Sequence, residues 1–232
     1  MTGYFVWNGV KSTEYGIYVS EHPAITFPSE RMTYVNVPGR SGSLALPEGE
    51  NVYDDMTLTA QCWIRDDSRI GEIGAWLRGA GEVEFGNRPG GHYRARVANQ
   101  IPFAQILRGK KNRSFAVSFR CKPFWYANFD AEQTMSSAGV ILNEGNVPCE
   151  PRIQVNAAGD FSITVGLQRI EVTGGSIIID SEMRDCLSTD GASLANNRAI
   201  LTEFPVLESG YTSISWTGSV SSVTIKKRVR YL

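Results

Sequence analysis

No stretch of this chain comes near the ~18 consecutive apolar residues that a membrane-crossing helix needs, so a helical membrane anchor is excluded. Histidine is scarce, with His22 and His92 the only two. None of the four cysteines (Cys62, Cys121, Cys149 and Cys186) forms a C-x-x-C pair, and neither histidine lies near one in sequence. Zinc spacing is therefore absent, and no metal or cofactor site is expected. Charge of one sign is not in excess either. The 23 basic and 24 acidic residues give a net charge of -1, where a dedicated nucleic-acid binder carries a basic surplus. The opening "MTGYFVWNGVKS" has no basic head and no long apolar run, so no secretory leader is expected there. The expectation is a soluble chain made in the cytosol with reduced thiols.

Catalytic signatures are missing too. "GRSGS" has a serine between glycines but not the G-x-S-x-G spacing of a nucleophile elbow. "GNRPGGHYR" lacks the lysine and following helix of a phosphate-binding loop. Asp54-Asp55 and Asp66-Asp67 are sequence neighbours that point to opposite faces of extended backbone, and Glu82 and Glu84 share the solvent face of one strand. His22 precedes a proline and His92 adjoins a glycine turn, so both read as surface loop residues. A glycoside hydrolase or peptidase would rest on scattered carboxylates alone, and no catalytic residue is assigned.

What the chain has is alternation. In "MTLTAQCWI", Met56, Leu58, Ala60, Cys62 and Ile64 face one way, and in "SFAVSFRC", Phe115, Val117, Phe119 and Cys121 do the same. This is the pattern of half-buried antiparallel strands, with Cys62 and Cys121 acting as small hydrophobes. "GEVEFGNRPGGHYRARV" predicts a hairpin around "NRPGG"; "IPFAQIL" predicts a strand leading into a polar turn at "RGKKNR". One segment has helical spacing instead: Ile70, Ile73 and Leu77 in "DDSRIGEIGAWLRGAG", with Asp67 or Ser68 as cap and Gly79 or Gly81 as stop.

Residues 127–142 are small and polar, suited to a linker or a wandering edge. "NEGNVPCEPRIQV" then marks a new beginning with a Gly-Asn turn and two prolines before an alternating run. "AAGD" predicts a turn between strands ending at Ala157 and starting at Phe161, and "SGYTSISWTGSVSSVTIKKRVRYL" predicts two closing strands. No helix is expected after residue 80. In "KKRVR", alternation places Lys226, Arg228 and Arg230 on one face, read as a solvent-facing or subunit-facing edge. The fold expected is mainly β with a minor α contribution, in two domains: a sandwich or barrel-like domain with one short helix over 1–128, and a β-sandwich over 129–232.

Several phrases in order resemble the distal tail (Dit) protein family of siphophages. "FVWNGVKSTEYGIYVSEHP" is similar to the family's opening, and "YVNVPGRSGSL" to its strand-turn-strand with a Gly-Arg-Ser-Gly core. "KPFWY" is similar to the close of its N-terminal domain, and "NEGNVPCEPRIQV" to the start of its second. "IIIDSE" and "FPVLESGYTSISWTGSVSSVTIKKRVRYL" complete the likeness, which runs from residue 4 to 232. The closing Lys227-Arg228-Val229 departs from the family's more usual Pro-Arg-aromatic.

The resemblance implies a non-enzymatic protein of the virion tail tip, made in the bacterial host cytoplasm. Its N-terminal domain would close into a homo-hexameric ring between the tail tube protein and the tail-associated lysin or hub protein. Its C-terminal domain would be a galectin-like sandwich projecting outwards, an attachment point for a receptor-binding protein. No membrane contact and no specific nucleic-acid binding are implied. For the subunit interface the candidates are Pro38, Gly39, Arg40, Ser41, Gly42, Leu44 and Leu46, in a Gly- and Pro-rich stretch with two leucines in polar surroundings. Arg40 could hold a neighbour's carboxylate bidentately, although a self-packed hairpin accounts for the same stretch. The alternative function is a carbohydrate-binding module for host cell-wall glycan, with Tyr211 and Trp216 as the stacking platform.

Overall fold

The structure, a computed structural model, describes residues 3–106 and 111–232. The chain divides into two compact units, Met1–Asn128 with Leu232, and Phe129–Tyr231. In the first unit the strands are β1 (Phe5–Trp7), β2 (Val10–Lys11), β3 (Ile17–Glu21), β4 (Met32–Asn36), β5 (Ser43–Pro47), β6 (Met56–Ile64), β7 (Ala80–Phe85), β8 (Gly91–Val97), β9 (Ala104–Gln105) and β10 (Arg113–Ala127). One α-helix, α1, spans Ile70–Trp76.

Hydrogen-bonded neighbours run β2-β1-β7-β8-β10-β6-β3, all antiparallel. Two backbone bonds between Gly3 and Val19, of 3.1 and 2.8 Å, then join the chain before β1 to β3, so the sheet closes on itself. Closure lets every strand bury the same face inside. The alternating sets of β6 and β10 are all buried there, with Phe5, Trp7, Val83, Phe85 and Tyr93. The helix contributes Ile73 to this core, and Leu77, its C-cap, packs there too. Its Trp76 ring stacks on Phe5 and Tyr15 at centroid distances of 5.7 and 4.6 Å, and its carbonyl accepts the Trp7 indole N–H at 3.0 Å. Neither Asp67 nor Ser68 caps α1: both lie in a 3-10 turn, Asp67–Arg69, that leads into it, and that turn is capped by Asp66, whose carboxylate accepts the Ser68 amide at 3.1 Å. Among the described residues of "IPFAQIL" only the two of β9 are strand; Phe103 turns its ring onto Phe115, 4.5 Å between centroids. Arg108 to Lys110 of the "RGKKNR" turn lie outside the described residues.

The second unit contains β11 (Gln133–Met135), β12 (Gly139–Asn143), β13 (Arg152–Val165), β14 (Gln168–Val172), β15 (Ile177–Asp180), β16 (Asp185–Leu187), β17 (Ala199–Leu201) and β18 (Gly210–Lys226). One of the sequence expectations is corrected here. "AAGD" is no turn: β13 runs through it as one strand, with register shifts at Asn156/Ala157 and Ala157/Phe161. The closing phrase does form two strands, unequal in length: the 17-residue β18 and the two-residue β19 (Arg230–Tyr231). The reason β13 is unbroken lies in how it pairs with β18. Val165 to Phe161 pairs with Ile214 to Gly218, and Val155 to Arg152 with Val223 to Lys226, so one long ladder serves both ends. At one end β12 and β14 extend it, and at the other β11 and β15. Apolar residues from both ends, among them Ile153, Val155, Ile163, Val165, Ile214 and Val223, enter a single core. The bend sits at Gly218, with φ of 94°, where a Cβ would come within 2.6 Å of the Asp160 carbonyl oxygen. Bulges bend strands in this way. Beyond α1, the helical geometry among the described residues of this half is a 3-10 turn at Asn196–Arg198.

The "KKRVR" run is also corrected: it is a clasp inside the unit. Arg228 adopts φ of 58°, which ends β18 and breaks the alternation. Its guanidinium grips Asp180 bidentately at 2.7 and 2.8 Å and reaches Glu182 at 3.2 Å. Lys227 bonds Glu144 at 2.6 Å and the Leu142 carbonyl at 3.0 Å. Arg230 bonds the Pro148 carbonyl at 2.7 Å and Glu150 at 3.1 Å. The seat is the "NEGNVPCEP" phrase. There the Asn143 amide donates to the Val147 and Leu207 carbonyls, and a Cβ on Gly145 would lie 2.3 Å from the Arg230 carbonyl oxygen.

Burial raises the Asp180 carboxyl, but the Arg228 bonds, the Met183 amide and the nearby charges outweigh it and hold the group below the ordinary range. A depressed carboxyl contributes stability above its unfolded pKa and loses it as pH falls through the folded value. Asp180 is buried, so Arg228→Ala strands a carboxylate and should cost roughly 3–5 kcal/mol, read from urea unfolding at neutral pH. The cost should shrink as the pH falls through the lowered Asp180 value.

All four cysteines are free and buried, and burial pushes Cys62, Cys121 and Cys149 up to about 12 and Cys186 up to about 11. Native protein should therefore resist alkylation at pH 8 while urea-unfolded protein labels at all four positions. A raised thiol pKa favours the fold below the unfolded value, so unfolding should become easier as pH climbs beyond about 9.

Candidate functional site

Between β3 and β6 the chain leaves the barrel. Its return path, from His22 to Asp55, has almost no buried residue except Pro23. Strands β4 and β5 pair with each other alone, from Met32↔Pro47 to Asn36↔Ser43. The root is fastened by the Arg31–Asp54 ion pair at 3.0 Å, by the Asn87 amide bonding the Pro23 carbonyl at 3.1 Å, and by Tyr53 packed edge-on against Phe124. His22 is packed there against Gly3, and burial lowers its pKa.

A two-stranded ribbon is marginal in water unless something covers a face. Here both faces are apolar. Register places Val35, Leu44 and Leu46 on one side and Met32, Tyr34, Ala45 and Pro47 on the other. Phe27 and Tyr34 are 74% and 67% exposed, and Ile25, Val35, Val37 and Leu46 are exposed as well. Exposed apolar groups gathered on one element mark an interaction surface. The interface candidates all fall on this arm: Pro38, Gly39, Arg40, Ser41 and Gly42 form its tip, and Leu44 and Leu46 lie on β5. At the tip, Gly39 and Gly42 take φ of 79° and 78°, which lets the chain reverse there. The arm reaches further than those seven residues, since Ile25, Phe27, Tyr34 and Val35 share its exposure.

The stacking-platform pair is separated. Tyr211, 76% exposed, pairs with Leu142 on the outer face of β18, whereas Trp216 packs on the unit's core. Five positions apart on one regular strand, they point to opposite faces and share no stacking surface. His92 is also not where the sequence put it. It lies on β8, its ring stacked on Tyr126, with Asn128 at 2.8 Å from one nitrogen and Glu82 at 3.6 Å from the other. Among the described residues no group of three histidine, cysteine or carboxylate side chains is placed to hold a metal, and no helix is long and apolar enough to cross a membrane.

Sequence reading missed one cluster altogether. Arg94 and Arg96 on β8, with Arg120 and Lys122 on β10, lie side by side on the barrel's outer face. The signal was present in "HYRARV" and "FRCKPF", where cations alternate with buried residues, but strand pairing was needed to bring them together.

No family model and no curated protein sequence matches the chain. Among solved structures, the crystal structure of SPP1 Dit (gp 19.1), described as a paradigm of the hub adsorption apparatus in Gram-positive-infecting phages, superposes with a TM-score of 0.72 at 15% identity, covering 100% of both chains. The fold is that of SPP1 Dit. The activated phage p2 baseplate also matches, with a TM-score of 0.55 at 8% identity, over 98% of this chain and 97% of that one. The mainly β fold and the Dit resemblance read from ordered sequence phrases thus agree with the Dit-like architecture of the folded chain.

Because the arm's apolar groups touch little of their own barrel, Val35→Asp with Leu46→Asp should change the stability of the isolated protein by no more than about 0.5 kcal/mol in urea unfolding. A loss of several kcal/mol would mean that the arm is part of the fold.

Proposed function

We propose that the chain is a structural hub of a siphophage tail tip, a Dit protein that closes into a hexameric ring between the tail tube and the tail-associated lysin or hub protein. The observation that carries this reading is the fold match to SPP1 Dit over the full length of both chains. The exposed arm supplies a physical reason for assembly. A ring needs a patch that meets a different patch on the neighbour, repeated until the rotation closes. An arm apolar on both faces suits such a contact, because one copy cannot cover it. On this reading residues 1–128 are the ring-forming domain and 129–232 the outward, galectin-like sandwich that carries a receptor-binding protein. The chain works through shape and contact and performs no catalysis, in the virion tail tip, after synthesis in the host cytoplasm.

Native mass spectrometry of the purified protein, alone and mixed with its tail tube and lysin neighbours, should show hexamers, and electron micrographs should show rings. Val35→Asp with Leu46→Asp should leave folded monomers that do not close. A wild-type protein that stays monomeric with both neighbours present would refute the ring.

A further inference from the structure

Across β7, β8 and β10 the outer face of the first unit carries a trough of about 580 Å³, floored by Ala80, Gly81 and Ala95. Its walls hold four cations and two carboxylates. Arg96 stands directly opposite Arg120 across the ladder, and Glu82 directly opposite Arg94. Like charges directly opposite on neighbouring strands repel. The carboxylates at the rims are already engaged: Asp55 bonds Arg120 at 3.0 Å and Lys122 at 3.5 Å, and Glu82 lies 3.6 Å from His92. The trough keeps a net positive charge.

We propose that this trough receives the Glu48-Gly49-Glu50 turn of a second copy's arm; the proposal rests on the ring reading above and names the face on which the arm lands. The turn follows β5 directly, and both glutamates are exposed. It lies near the root of the arm, where Arg31 pairs with Asp54 at 3.0 Å and the Glu48 carboxylate accepts the Thr33 hydroxyl at 2.9 Å. A contact that covers the arm's apolar faces carries this turn with it, so apolar burial and charge neutralisation occur in one interface. Patch and counter-patch differ, as a closing ring requires. The rims favour a short acidic turn over a nucleic acid, because a continuous phosphate backbone would bring many more negative charges past Asp55 and Glu82 than a turn with two carboxylates.

The test begins with zero-length carbodiimide coupling in an equal mixture of unlabelled and ¹⁵N-labelled protein. The expected product joins Lys122 to Glu48 or Glu50 in isotopically mixed peptides, with coupling to the protein's own Asp55 as the internal control. Arg96→Glu with Arg120→Glu should weaken self-association at least tenfold in sedimentation at 0.15 M salt. Arg96→Gln with Arg120→Gln, a gentler change, should act in the same direction. Adding Glu48→Arg and Glu50→Arg to the charge-reversed protein should restore association, with circular dichroism confirming the fold of each variant. Unchanged association after reversal, failure of the swap to restore it, or assembled protein without intermolecular Lys122 coupling would each overturn the contact. So would retention of the wild type on duplex DNA that reversal abolishes while association persists. Hexamers without the coupling would leave the ring reading standing, and the coupling in dimers that never close would leave the contact standing without the ring.

Discussion

A β-strand with alternating side chains has one apolar face, and that face must be covered. The two units meet this constraint in different ways. In the first, the sheet curls until Gly3 meets Val19, and the apolar faces of β1, β3, β6, β7, β8 and β10 look at one another across a single interior. In the second, β13 and β18 are long enough to bend, and their two halves contribute facing layers to one core. Closure needs the short span ahead of β1 to reach β3. Bending needs Gly218, whose backbone conformation and crowded surroundings a larger residue would not accept.

The arm fails the same constraint within its own chain. Its ribbon has five residue pairs and apolar groups on both sides, and the barrel it springs from has already closed. No rearrangement of the barrel can cover it without opening the sheet. The missing cover must come from another surface, and the free energy left unused in the single chain becomes free energy of association. Arm and assembly are thereby coupled, since anything that binds the ordered ribbon also stabilises it by mass action. The root, held by Arg31–Asp54 and by Tyr53 on Phe124, sets where the ribbon leaves the barrel but contributes little to covering it.

Much of this was legible in the residues, and the failures share a cause. "MTLTAQCWI" alternates without interruption and becomes β6 at its predicted limits; Ile70 and Ile73 fall in the helix that packs on the core, and Leu77 is its C-cap. Local pattern suffices where strand or helix period is undisturbed. It failed at "AAGD" because a glycine among small residues signals a turn and a bulge alike, and the partner strand decides between them. It failed at "KKRVR" because alternation assumes extended backbone, and Arg228 leaves it to meet Asp180, 48 positions earlier. The arm's tip was found from glycine, proline and stranded leucines, yet its second apolar face needed the register of β4 against β5. The basic trough lay beyond reach for the same reason, being made of two unremarkable alternations that only pairing joins.

The phrases that carry the family likeness can now be weighed by what they do. "NEGNVPCEPRIQV" and the closing "KKRVRYL" are two halves of one clasp: Glu144 with Lys227, Glu150 with Arg230, and Asn143 tying the loop between them. The departure at Lys227-Arg228-Val229 falls inside it, with Val229 buried and the two cations bonded within the unit. Such residues answer to packing and desolvated charge, so the resemblance they carry reports how the second unit folds. It says nothing about what that unit touches. Assembly has to be argued from groups the fold leaves at the surface, and in the first unit those are the apolar arm and the trough, whose four cations outnumber its two carboxylates. The arm's apolar faces are costly in a lone chain and the trough carries more cations than carboxylates, so on the proposed contact each meets what the other supplies.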